Sequence, residues 1–212
     1  MNDFATAFVA ASLATAALVL GVTAHANGSQ GTNVKDGSVA GDDGDSPVMA
    51  ITADSDVVLS SAGIAGLTDG TAFDRAALRS ALPGFDIVAA ERSTEGQAYP
   101  VFEVSDQGEP LFVILPNSAA GLIGSLAVSS QRVVTQSGHR LGLSFGEVYA
   151  GAVPAGCNPG MEEDSGSVFC PSPSAANLIY VFSGDWQGPD GELPDADALQ
   201  DWTIEAIVWH AR

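Results

Sequence analysis

One serine in the chain lies in a pattern typical of hydrolases. Residues 142–146 read Gly-Leu-Ser-Phe-Gly and match the G-x-S-x-G motif around the nucleophilic serine of many α/β-hydrolases. Several Asp residues and then His210 follow, in the Ser-Asp-His chain order of those enzymes. This interpretation makes Ser144 the nucleophile and His210 its base.

The same serine also fits the start of a helix. Ser144 and Glu147 form the S-x-x-E capping box, in which the hydroxyl accepts from a backbone N–H and the carboxylate reaches back. The chain lacks both the alternating strands and helices of a doubly wound sheet and an HGGG-like oxyanion segment. We therefore predict a capping box and no catalytic residue, with a serine hydrolase as the weaker alternative.

An acidic stretch near the C-terminus, Asp185–Asp201, is a candidate ligand or cation loop. Carboxylates alternate there with Gly and Pro beside a tryptophan, and the candidate residues are Asp185, Trp186, Asp190, Glu192, Asp195 and Asp197. Carboxylates bind calcium, and large aromatic side chains line pockets or fill cores. A solvated surface loop has the same composition. The sequence favours the solvated loop and keeps a small-ligand or divalent-cation module as the alternative.

The two cysteines, Cys157 and Cys170, predict a structural disulfide. Exported domains form such bridges, and a redox-active pair normally stands two residues apart. A zinc site needs further ligands, and His139 and His210 lie far apart in the sequence. We therefore expect no metal and no cofactor.

The charge balance excludes some partners. Seven Lys and Arg stand against 26 Asp and Glu, a net charge of −19. Nucleic-acid binding depends on basic side chains that neutralise phosphates, so we expect no nucleic-acid partner. An anionic membrane surface would also repel the chain. We interpret the excess acid as a solvation trait, which predicts that stability rises with added salt.

The chain divides into three segments. Residues 1–26 contain an apolar run that ends in Ala24-His25-Ala26, and they predict a signal peptide. The first three residues carry no Lys or Arg, which leaves open a start elsewhere or an uncleaved inner-membrane anchor. Residues 27–49 predict a flexible acidic linker rich in Gly and Ser, and residues 50–212 one folded domain. The expected location is the periplasm.

The domain predicts an α+β fold with a mostly antiparallel sheet. The β-type runs are residues 56–60, 85–90, 99–104, 110–115, 122–129, 132–136, 168–170, 178–183 and 202–209. The main amphipathic helix is predicted over residues 71–82, with Thr71 as its cap, and Pro83 ends it. Short helices are predicted at Ser144 and over residues 195–200.

A long C-terminal motif carries a family resemblance. Residues 179–194 read Ile-Tyr-Val-Phe-Ser-Gly-Asp-Trp-Gln-Gly-Pro-Asp-Gly-Glu-Leu-Pro, and they are followed by Leu199, Trp202, Ile204, Ile207 and Trp209. With residues 63–67, residues 138–142 and the cysteine pair, this stretch resembles the RpoE-regulated lipoprotein family of proteobacteria.

The resemblance implies an envelope protein under control of the envelope-stress sigma factor, with no catalytic residues to carry over. Members carry an acylated Cys after the signal peptide, whereas residues 24–27 in this chain read Ala-His-Ala-Asn, so we expect no lipid anchor. The function expected is a non-catalytic envelope protein that contacts an unknown envelope component. The oligomeric state stays open.

Overall fold

Alternation of apolar and polar residues builds most of the strands of this domain. In the segment Leu178–Ser183, for example, Leu178, Tyr180 and Phe182 are buried and the residues between them are half exposed. The computed structural model describes residues 56–94, 96–117 and 119–212. The predicted signal peptide, the predicted linker and the first six residues of the predicted domain lie outside the described residues.

The elements follow one another along the chain, with a 3₁₀ turn at Glu162–Asp164. In order they are β1 (Val57–Ser60), β2 (Gly63–Ile64), α1 (Arg75–Ala81), β3 (Asp86–Thr94), β4 (Gln97–Asp106), β5 (Glu109–Asn117), β6 (Leu122–Val128), β7 (Val133–Thr135), α2 (Phe145–Tyr149), β8 (Asn158–Pro159), β9 (Ser167–Pro171), β10 (Leu178–Ser183), α3 (Ala196–Leu199) and β11 (Thr203–His210).

The strands form two sheets. The large sheet has eight strands in the order β3-β4-β5-β6-β11-β10-β9-β8, and all neighbours in it are antiparallel. The small sheet has the order β2-β1-β7, with β1 antiparallel to β2 and parallel to β7. The predicted α+β class with a mostly antiparallel sheet is confirmed. Every predicted strand is present; the two-residue strands β2 and β8 were not predicted.

One core joins the two sheets and the helices. The largest fully buried side chains come from β5, α2, β10 and β11, and they are Phe112, Phe145, Tyr180, Phe182 and Trp209. Leu59 of β1 and Leu78 of α1 belong to the same buried cluster. The small sheet and α1 therefore share this core with the large sheet.

The main helix begins later than predicted. Its N-cap is Asp74, whose carboxylate accepts from the backbone N–H of Ala76 and Ala77 at 2.9 Å. Residues 71–73 lie instead beside the start of β6, where the carbonyl of Thr71 accepts from Ile123 N–H at 3.0 Å. The prediction of Thr71 as the cap is wrong because a tertiary contact with β6 competes for this segment.

The turn between β4 and β5 follows its sequence signal. Gln107 and Gly108 both have positive φ, at 52° and 83°, as a type I′ hairpin turn requires. This turn places Asp106 opposite Glu109 and Ser105 opposite Pro110, and the register then shifts by one residue between Ser105 and Val104.

Candidate functional site

Ser144 caps α2. Its hydroxyl accepts from the backbone N–H of Glu147 at 3.3 Å, and the Glu147 carboxylate accepts from Ser144 N–H at 2.7 Å and from the hydroxyl at 2.8 Å. These bonds, chiefly the one from the backbone, hold the pKa of the Glu147 carboxyl below its ordinary value. Both hydrogen bonds of the predicted capping box are present in the structure.

Ser144 and His210 lie at opposite ends of β11. Ser144 bridges Thr203, the first residue of this strand, and His210 is its last residue. Seven residues of extended strand separate the two positions by roughly 23 Å. Burial lowers the pKa of His210. The structure therefore does not bring the two members of the hydrolase pattern within proton-transfer distance.

The two cysteines form the predicted disulfide. Cys157 precedes β8 and Cys170 lies on β9, and their side chains are 9% and 0% exposed. The bridge ties the two-residue strand β8 to its neighbour. Closing a loop of this size stabilises the fold by about 3 kcal/mol in the chain-entropy model.

The acidic residues of the candidate loop do not converge on one point and have different partners. Asp195 caps α3 and accepts from Ala198 N–H at 2.9 Å, while Asp190 accepts from the Ser165 hydroxyl at 2.7 Å. Asp185, Glu192 and Asp197 are exposed. Among the described residues, no group of three or more His, Cys, Asp or Glu side chains is placed to hold a metal ion.

Two glycines of the C-terminal motif lie against tryptophan rings. A Cβ on Gly184 would overlap the ring of Trp202, and a Cβ on Gly188 would overlap the ring of Trp186. The indole N–H of Trp186 donates to the carbonyl of Pro189 at 3.0 Å. The motif residues therefore fold the loop back on itself, with the Trp186 ring packed against Gly188. We call residues 184–194 the tryptophan loop.

A small depression lies beneath the tryptophan loop. Trp186, Trp202 and Pro194 are among its apolar lining residues, and Asp190 and Glu192 are its carboxylates. Its interior has about 10 Å³ of space for a water-sized sphere, so it can receive the tip of a side chain and not a drug-sized ligand. Of the sequence candidates, Trp186, Asp190 and Glu192 line it, and Asp185, Asp195 and Asp197 do not.

Sequence reasoning missed a hydroxyl network around His139. Ser172 donates to the Tyr180 hydroxyl at 3.0 Å, and Tyr180 lies 3.0 Å from His139 Nδ1. Since Tyr180 accepts from Ser172, we assign its own proton to the bond with His139 Nδ1, which makes His139 neutral with its proton on Nε2. Burial lowers the pKa of His139, in agreement with this assignment.

The network extends to the surface and joins the sheets. From Ser172 it runs through Ser174 and Ser137 to Thr135 of β7, with oxygen–oxygen distances of 3.0, 3.3 and 3.0 Å. It connects the small sheet to β10 of the large sheet. His139 and Tyr180 are 41 positions apart, so no local sequence pattern signals their contact.

These features define the chain as an α+β domain with one disulfide and a glycine-supported tryptophan loop. The chain belongs to the family of proteins of unknown function DUF1131, whose sequence profile matches residues 46–211. Within the part of the chain that the structure describes, no helix is long and apolar enough to cross a membrane.

Two comparisons with Escherichia coli agree with this assignment. The chain is 27% identical over 152 residues to the uncharacterized protein YfeY of strain K12, covering 71% of this chain and 78% of YfeY. The crystal structure of the uncharacterized protein yfeY matches with a TM-score of 0.58 at 25% identity, covering 72% of this chain and 98% of that chain. The family description gives neither regulation nor lipidation, which the resemblance to RpoE-regulated lipoproteins alone implies.

Proposed function

We propose that this chain is an exported protein of the bacterial cell envelope that acts by binding and not by catalysis. Its site is the depression under the tryptophan loop, and its ligand is a positively charged side chain of another envelope component. The observation that carries the proposal is that Trp186 and Trp202 line the same depression as Asp190 and Glu192.

The lining of the depression matches the two parts of a Lys or Arg side chain. The stem of such a side chain is apolar and packs on aromatic or proline surfaces, while its charged head stays near polar groups. Tryptophan is the best aromatic partner for a cation, and a carboxylate accepts charge-assisted hydrogen bonds. The chain's net charge of −19 would also speed the approach of a basic partner.

Two features support export. The Cys157–Cys170 bridge is of the kind that persists in oxidising compartments such as the periplasm. The apolar run within residues 1–26 has the length and the small-residue ending of a signal peptide. Fractionation of cells that produce the chain tests this part of the proposal. Recovery in the cytoplasm with intact residues 1–26 would contradict it.

A peptide titration tests the binding site. The probe is pentalysine, with pentaglutamate as the reference, and the readout is the indole N–H signal of Trp186 in an NMR spectrum. Pentalysine is expected to shift this signal and pentaglutamate to leave it unchanged. The double variant D190N/E192Q should weaken binding about tenfold, because it removes two charged acceptors. The amide oxygen that D190N introduces can still accept from the Ser165 hydroxyl, so the loop keeps its anchor.

The matched control is the double variant D197N/D201N. It makes the same change in net charge at two exposed carboxylates that do not line the depression. This control should bind pentalysine as the unaltered protein does. Equal weakening by both double variants would show that only net charge matters and would overturn the site.

The family resemblance extends the proposal to regulation. If the envelope-stress sigma factor controls the gene, transcript abundance should rise when outer-membrane protein folding is disturbed, and deletion of the sigma factor should abolish the rise. A constant transcript level under that stress would remove this part of the proposal and leave the binding site untouched.

A further inference from the structure

Strand β3 forms an unpaired edge of the large sheet. It runs from Asp86 to Thr94, and among the strands of the described residues only β4 pairs with it. The β3–β4 ladder contains nine residue pairs without a register shift. The first five residues of β4 pair only with β3, because β5 pairs with β4 from Phe102 onward. The outer part of the hairpin is therefore a two-stranded ribbon.

The register shows which backbone groups face outward. The pair Thr94–Gln97 flanks a two-residue turn and is therefore a hydrogen-bonded pair, after which bonded and non-bonded pairs alternate. Ile87, Ala89, Glu91 and Ser93 fall in the non-bonded pairs, so their N–H and C=O groups point away from β4. No described residue hydrogen-bonds to these groups.

The outer edge of β4 in this ribbon is protected against pairing with another strand, whereas the outer edge of β3 is not. Pro100 pairs with Glu91 in a non-bonded pair, so its nitrogen points away from β3, toward the edge of β4 that β5 does not cover. Because proline has no N–H, it cannot donate a hydrogen bond at this edge. Natural proteins protect edge strands with proline, bulges, lysine or short length. β3 has nine residues, contains no Pro and no Lys, and has no bulge. Its outward groups remain ready to pair with another strand.

The side chains beside this edge indicate the chemistry of the strand that would pair there. Asp86 and Glu91 are exposed carboxylates, and the charge of Arg92 is already compensated by Glu103 on β4. Val88 lies on the same face of the strand as Asp86, is 55% exposed and offers an apolar contact beside this carboxylate. A second copy of the chain would bring a further −19 to the interface and be repelled.

We propose that β3 binds an extended, basic segment of another protein by β-strand addition. Main-chain hydrogen bonds to Ile87, Ala89, Glu91 and Ser93 would hold the segment. Its Lys or Arg side chains would meet Glu91 on one face of the sheet or Asp86 on the other. This surface is independent of the tryptophan loop. It lies at the opposite end of the sheet from β8, seven strand spacings or roughly 34 Å away.

The probe is a ten-residue peptide in which Lys and Val alternate. It should slow amide hydrogen exchange at Ala89 and Glu91 about tenfold and leave the indole signal of Trp186 unchanged. Two reference peptides should not bind: one N-methylated at every residue, which cannot donate to the ladder from either edge, and one with Glu in place of Lys. Binding of the N-methylated peptide, or failure of the Lys-Val peptide to protect these amides, would overturn the proposal.

Two proline variants separate the edge from the ribbon. Ala89→Pro removes an outward N–H of β3 and should abolish protection. Ala98→Pro makes the same change on β4, where the N–H points away from β3 toward the edge that β5 does not cover. This variant should bind the peptide as the unaltered protein does. Both variants must keep the unaltered circular dichroism spectrum. If the protein is instead a dimer that Ala89→Pro dissociates, a second copy occupies the edge and the basic segment is wrong.

Discussion

The two ends of the large sheet are built in opposite ways. At one end, β8 has only two residues and is tied to β9 by the buried Cys157–Cys170 bridge. Neighbouring β10 is held by the hydroxyl network, and Tyr149 of α2 donates to the carbonyl of Pro171 at 2.8 Å. At the other end, the nine-residue strand β3 carries a single ladder on one side and open backbone groups on the other.

The difference separates stability from recognition. Buried polar networks and cross-links make removal of a single group costly, whereas exposed positions tolerate change. We therefore expect the β8–β10 end to carry stability and the β3 end to contribute little to it. Substitutions at the two ends test this division, and those at the β8–β10 end should destabilise the protein most.

Removing the disulfide should have the largest effect. The double variant C157A/C170A should lower the free energy of unfolding by about 3 kcal/mol, because the unfolded chain regains the loop entropy that the bridge removes. Urea unfolding with and without reductant measures this loss. The reductant should destabilise the unaltered protein and leave the variant unchanged. A loss below about 1 kcal/mol would show that the β8 end does not depend on its cross-link.

Removal of the buried Tyr180 hydroxyl should have the second-largest effect on the free energy of unfolding. Tyr180→Phe removes the hydroxyl that contacts His139 Nδ1 and accepts from Ser172, and the loss of such a buried hydrogen-bonding group costs about 1–3 kcal/mol. The matched control is Tyr99→Phe on β4, whose hydroxyl makes only a 3.4 Å contact with Thr94. This control should stay within about 0.5 kcal/mol of the unaltered protein. Equal losses in urea unfolding would contradict the division between the two ends.

The capping box should contribute less. Ser144→Ala removes the acceptor for Glu147 N–H and should cost about 1 kcal/mol. Glu147→Gln keeps an acceptor for the backbone N–H of Ser144 and should have a smaller effect. Thermal unfolding measures both. In addition, a fluorophosphonate probe should not label Ser144, and labelling of Ser144 would revive the hydrolase interpretation.

Acid pH should lower the free energy of unfolding through His139, which contacts Tyr180 of β10, and His210 on the neighbouring strand β11. Burial lowers the pKa of His139 and His210, so the folded state resists protonation while the unfolded state accepts it near pH 6.5. Their stabilising contribution is therefore complete above this value and is lost as the pH falls through the folded pKa values. Urea unfolding at high salt between pH 7 and pH 5 should show this loss, and His139→Gln should reduce the slope. A flat profile would contradict the burial effect.

Local patterns predict most of the fold but only part of the site. Alternation locates the long strands, and S-x-x-E locates α2, because both depend on neighbouring residues. The contact between His139 and Tyr180 depends on how β7 packs beside β10, which no local pattern encodes. The acidic stretch predicts that Trp186 lies in a surface loop. No local pattern predicts that Gly188 makes room for its ring.

The smallest effect is expected at Val88. Its side chain is 55% exposed on β3, so exchange for threonine removes little buried apolar surface and keeps a β-branched side chain that favours a strand. Val88→Thr should change the free energy of unfolding by less than about 0.5 kcal/mol. The matched internal exchange is Val168→Thr on β9, where the side chain is 1% exposed and a hydroxyl would be buried. Urea unfolding of both variants compares the two ends directly. If Val88→Thr costs as much as Val168→Thr, the β3 end also carries stability, and its open edge cannot be regarded as a surface kept for recognition.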